Sequence, residues 1–173
     1  MNPGEKFNCA INVVLEHEGG LSDNPNDRGG ITNFGISKQF VIDNNLSDDP
    51  YFFVKRLTKN DAIAIYRRYI WDKYHYVLFA DVQIATKVFD MTVNSGPHES
   101  HILLQRSIND MSHDQLLVDG ICGVKTIASA NALPPSFLHQ KLREKQEQFY
   151  RELVENMPSY RIFLDDWLKR AAW

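Results

Sequence analysis

The sequence predicts a mainly α fold, on three observations. Apolar residues recur at helical spacing in most segments, capping residues stand where those stripes begin, and no run alternates convincingly between apolar and polar residues. Phe7, Ile11, Val14, Leu15 and Glu18 form the first stripe, which Gly19-Gly20 ends. From Leu21 to Asn33 the period gives way to Asp, Asn, Gly and Pro, the composition of a loop with several tight turns; a short hairpin fits between Leu21 and Ile36. Thr58 followed by Asp61 has the form of a capping box, and Ala62, Ile65, Tyr66, Tyr69 and Ile70 carry a helix to about Lys73. Val82, Ala85, Val88, Phe89, Thr92 and Val93 make the next, capped by Asp81 and stopped by Asn94-Ser95-Gly96-Pro97. Further helices are expected from about His98 to Asn109, Lys125 to Asn131, Pro135 to Asn156 and Ser159 to Ala171.

Composition narrows the function. The chain has 173 residues, 43% of them hydrophobic, enough for one real core, with or without a small appendage. A net charge of -3 gives no basic footprint for neutralising phosphates, so nucleic acid is not an expected partner. Cys9 and Cys122 have no metal-ligand spacing, and whether they pair is left open. The apolar stretch behind Met1 is interrupted by Asn12 and Glu16, so no secretory signal is read. No apolar run approaches the length that spans a bilayer, and no membrane insertion is expected.

The chemistry is expected at the end of the first helix, where Glu18 takes a position that the apolar stripe would otherwise give to a hydrophobe. At about 100° per residue Glu18 falls in the arc of Phe7, Ile11 and Val14, whereas Glu16 points to the opposite side. Desolvation on that inward face and the negative end of the helix dipole both favour the protonated carboxyl, the form that can donate to a glycosidic oxygen. The bland alternative is a glutamate that reaches water or pairs with a basic side chain.

The following loop supplies a second carboxylate. Asp27 is the first choice, with Asp23 competing for the role and an Asx-turn or an ion pair with Arg28 as its structural alternatives. Thr32 is placed to position a water. Glycoside hydrolysis commonly uses a proton donor on one side of the scissile bond and a second carboxylate on the other. Asp23, Pro25 and Asp27 do not make a calcium loop, because Arg28 stands where glycine and Phe34 where a bidentate glutamate would be required. Gly29-Gly30 lacks the lysine of a phosphate loop. No metal and no cofactor are expected.

Glu18-Gly19-Gly20 followed by Asp27-Arg28-Gly29-Gly30-Ile31-Thr32-Asn33-Phe34-Gly35-Ile36 resembles the signature of glycoside hydrolase family 108, whose members are lysozyme-like N-acetylmuramidases. The resemblance continues through Tyr69-Ile70-Trp71, Phe89-Asp90-Met91-Thr92-Val93-Asn94-Ser95-Gly96, Leu104-Gln105 and Val118-Asp119-Gly120-Ile121-Cys122-Gly123-Val124-Lys125-Thr126, covering almost the whole chain. It implies a lysozyme-like helical region over residues 1–96 with a catalytic loop or hairpin. It also implies a helical region resembling a peptidoglycan-binding domain over 97–173, the two packed as one compact unit. Glu18 takes the place of the family's catalytic acid. The sequence departs from the family's pattern at Leu21, Arg28, Val124 and Asp166, and keeps it at Glu18.

Sugars bind through ring faces laid on aromatics and hydroxyls paired with amides, so Asn33, Phe34, Trp71 and Asn94 are the expected substrate contacts. Core packing is the alternative for Trp71, and helix capping for Asn94. The expected substrate is the peptidoglycan glycan strand, cleaved between N-acetylmuramic acid and N-acetylglucosamine. A lytic transglycosylase and a non-catalytic wall-binding or secretion-helper protein are the alternatives. A monomer is expected, made in the cytoplasm and reaching the wall in the periplasm through a holin, an export system or lysis.

Overall fold

The computed structural model describes residues 1–23 and 30–173, which fall into two compact units, Met1–His75 and Tyr76–Trp173. The fold is mainly α with a short hairpin after the first helix, as the sequence predicts.

In the first unit, α1 (Pro3–His17) opens on a capping box in which the Asn2 side chain accepts from the Glu5 N–H and the Glu5 carboxylate accepts from the Asn2 N–H. It buries Phe7, Ala10, Ile11 and Val14, the predicted stripe. Next come β1 (Thr32–Asn33) and β2 (Ile36–Ser37), antiparallel, with Thr32 opposite Ser37 and Asn33 opposite Ile36. Two short helices follow: α2 (Lys38–Asp43), capped by the Ser37 hydroxyl, and α3 (Pro50–Arg56), capped by Asp49 with Pro50 in its first turn. The helix expected from Thr58 starts on the predicted capping box with Asp61, but its regular part, α4, is only Lys59–Tyr66. It then widens into a π-helical turn, Arg67–Trp71, where the Asp72 N–H reaches back to the Arg67 carbonyl at 2.8 Å.

The second unit is built on α5 (Val82–Ser95), α6 (Pro97–Asn109), α7 (Val124–Asn131), α8 (Pro135–Asn156) and α9 (Leu164–Ala172). The segment expected to begin the last helix, from Ser159, is instead a 3₁₀ stretch over Pro158–Phe163. Helix α5 is buried along most of its length and carries charge inside the core: Arg170 of α9 donates Nε and Nη2 to the Asp90 carboxylate. Beside it, the fully buried Lys87 donates Nζ to the Ala171 carbonyl at 2.9 Å, satisfying an otherwise open carbonyl of α9. Burial pushes the Lys87 ammonium down to about 8, against the pull of Asp90. A second buried network joins α5 to α6. The His101 Nδ1 faces the Gly120 carbonyl at 3.1 Å and must donate there, so Nε2 accepts from the Tyr76 hydroxyl at 2.7 Å. Tyr76 also meets Thr92, which meets Ser100. Cys9 and Cys122 are free thiols.

Candidate active site

Helix α1 ends one residue short of Glu18, which is its C-terminal cap with extended backbone (φ -86°, ψ 133°) and an N–H bonded to the Val14 carbonyl at 3.0 Å. The side chain is half-buried rather than buried as the helical arc implied, because an extended residue leaves the arc. What it meets is the hairpin turn. Phe34 and Gly35 link β1 to β2 and both have positive φ, 50° and 77°, as a tight two-residue hairpin turn requires. A methyl group on Gly35 would lie 2.6 Å from Glu18 Cδ and 2.5 Å from the Tyr66 hydroxyl oxygen, so the Glu18 carboxyl and the Tyr66 hydroxyl converge on the bare Cα of this glycine. The Tyr66 hydroxyl donates to the Phe34 carbonyl at 2.8 Å. Thr32 lies on the same hairpin, half-buried, with Ser22 bonded to it in both directions at 2.8 and 2.9 Å. A carboxyl, a hydroxyl-bearing strand residue and a half-buried aromatic therefore share one turn.

Residues 11–96 match the family model Glycosyl hydrolase 108, and residues 99–172 match Predicted Peptidoglycan domain. Over residues 11–96 the chain carries a glycosyl hydrolase family 108 region. Among solved structures, it is similar to SagA of Brucella abortus, 25% identical over 98% of this chain and 91% of that one, with a TM-score of 0.81. No curated protein matches the chain. This is a peptidoglycan-degrading glycosidase, with a predicted peptidoglycan region behind its hydrolase region.

The other predicted site residues of the hydrolase divide sharply. Phe34 sits in the turn against which Glu18 rests. Asn33 is next to it in sequence but 5% exposed, and its amide nitrogen donates to the carbonyls of Val54 and Leu57 at 3.1 and 3.2 Å. It ties the hairpin to the end of α3 and has no face left for a sugar. Trp71 is 1% exposed and packs edge-on against Phe7, with ring centroids 5.6 Å apart, so it is core and not a stacking platform. Asn94 belongs to the second unit, where its carbonyl oxygen accepts from the Tyr150 hydroxyl at 2.6 Å. Asp27 and its neighbour Arg28 lie outside the described residues. The competing Asp23 accepts from the Tyr51 hydroxyl at 2.6 Å.

Tyr66 is the residue that the sequence reading missed: its ring continues the apolar stripe of α4, and nothing local marks the hydroxyl. A separate groove of about 710 Å³ between α3 and α4 is lined by Phe52, Phe53, Arg56 and Ile65, and none of the predicted site residues lines it. In the second unit, the Asp119-Gly120 motif forms a clamped loop. The Gln105 side chain accepts from the N–H groups of Asp119 and Gly120 and donates to the Asp119 carboxylate and the Ile121 carbonyl. The Gln105 bond, and then the Ile121 N–H, hold the Asp119 carboxyl below its usual range. The loop presents Leu117, Val118, Ile121 and Val124 to solvent. Among the described residues no helix is long and apolar enough to cross a membrane.

Proposed function

We propose that this hydrolase is an N-acetylmuramidase that cleaves the β-1,4 bond between N-acetylmuramic acid and N-acetylglucosamine, with Glu18 as the general acid. The observation that carries the reading is the placement of the Glu18 carboxyl: it stands at the end of α1, against the Phe34–Gly35 turn, half-open to solvent. A protonated carboxyl there donates to the glycosidic oxygen as the bond breaks. Asp27 serves as the second carboxylate, stabilising positive charge or activating water, and Thr32 positions that water. Phe34 offers a ring face to the sugar. The Asp119 loop, with its exposed apolar residues, grips the wall.

Digestion of purified peptidoglycan tests the assignment. Wild type is expected to release fragments with reducing muramic acid ends, and Glu18→Gln to release almost none while keeping its fold. Anhydro-muramyl ends would instead identify a lytic transglycosylase. Equal digestion by both proteins would remove Glu18 from the chemistry. In the cell the enzyme works as a monomer on the periplasmic wall and relies on a holin or an export system to get there; delivery to the periplasm by the chain expressed alone would contradict that dependence.

A further inference from the structure

We propose that Tyr66 is a positioning residue for the reaction: its hydroxyl fixes the Phe34–Gly35 turn, and the turn in turn fixes where the Glu18 carboxyl points. This deepens the assignment of Glu18 as the acid and rests on it. Glu18 caps α1 with extended backbone, which turns its side chain toward the hairpin. Its carboxyl lies against Gly35 Cα, with no room for even a methyl group between them. A shift of the turn therefore changes the space in which the acid sits.

The turn is not self-supporting. Phe34 sits at φ +50°, a left-handed conformation that costs a bulky residue on the order of 1–2 kcal/mol and persists only where neighbours over-determine it. A ladder of two residue pairs supplies part of that restraint. The Tyr66 hydroxyl adds a restraint at the turn itself, donating at 2.8 Å to the carbonyl of the strained residue, from a side chain that is buried in α4. The same hydroxyl oxygen and the Glu18 carboxyl both border the space beside Gly35 Cα.

The test is a double-mutant cycle on a soluble glycan fragment, with Tyr66→Phe, Glu18→Gln and the pair. Tyr66→Phe keeps the buried ring and is expected to lower kcat roughly 10- to 100-fold with KM little changed, as for a reacting group misplaced by about an ångström. Because Tyr66 acts through Glu18, the double variant should be no slower than Glu18→Gln alone, whereas a purely structural loss would lower both backgrounds alike. Gly35→Ala, which drives a methyl group into the same space, should also lose kcat in the wild-type background only. Full kcat in Tyr66→Phe or in a folded Gly35→Ala, or equal losses in both backgrounds, would overturn the positioning role. Undiminished activity of Glu18→Gln would overturn the acid assignment first and this inference with it.

Discussion

Arg170, near the end of α9, places its Nε 3.1 and 3.0 Å from the two carboxylate oxygens of Asp90, 80 residues earlier in the chain. The pair is buried, and the guanidinium adds a bond from Nη2 to the carboxylate at 2.8 Å. Removing one partner leaves a charge in the core without its counterion, so Arg170→Met is expected to destabilise the second unit by about 3–5 kcal/mol. Chemical denaturation followed by the fluorescence of Trp167 and Trp173 measures it, and a loss near zero would show that the pair is readily replaced.

Acid should weaken the same unit through His101. Burial, the largest influence, pushes its imidazole down from 6.5 to about 4, against the bond to the Gly120 carbonyl. Between those values the unfolded chain binds a proton that the folded chain refuses, so stability falls as pH drops from about 6.5 to 4, by up to about 3 kcal/mol. His139, also lowered chiefly by burial, adds to the slope with the same sign. Urea midpoints taken across this window in wild type and His101→Gln check the prediction: the variant should be less stable at neutral pH and show a flatter dependence.

Asn33 should behave as a strut. Asn33→Ala removes a donor from two buried carbonyls; Val54 keeps the Leu57 N–H, while the Leu57 carbonyl loses its Asn33 bond, at roughly 1–3 kcal/mol if left unsatisfied. A lower melting temperature with KM unchanged on the folded fraction is the expected result, and a rise in KM without loss of stability would return Asn33 to the substrate.

Gln105 should govern the Asp119 loop. Gln105→Leu keeps a side chain of similar size in α6 but removes four hydrogen bonds to residues 119–121. Hydrogen exchange at Gly120 should accelerate, and retention on insoluble peptidoglycan should fall while kcat on soluble fragments holds. Unchanged exchange at Gly120 would mean that His101 and the chain itself hold the loop.

The long helices were legible because each writes its own stripe and cap. Thr58 and Asp81 mark true starts, and α5 and α8 run where the apolar period runs. The short α2 and α3 were not, since six or seven residues are too few to establish a period; only Ser37 and Asp49-Pro50 signalled them, through capping. At the site, Glu18 announced itself as a carboxylate in an apolar stripe before two glycines. Tyr66 did not, because its hydroxyl partner is a backbone carbonyl 32 residues away. Asn33 and Trp71 were misread for the converse reason: amide and indole chemistry suits sugars, but burial is decided by tertiary packing, which local spacing does not encode.

The wide turn at Arg67–Trp71 leaves the chain room to lose a residue. A π turn holds one more residue than an α turn, so excising a single residue there would let an ordinary helix run on from Tyr66 with its ladder complete. Because the wide turn absorbs that extra residue, the chain beyond it keeps roughly its facing after the excision, and Trp71 its place against Phe7. A one-residue deletion in this stretch is therefore expected to be tolerated better than one inside α4, where each residue lost turns everything after it by about 100°.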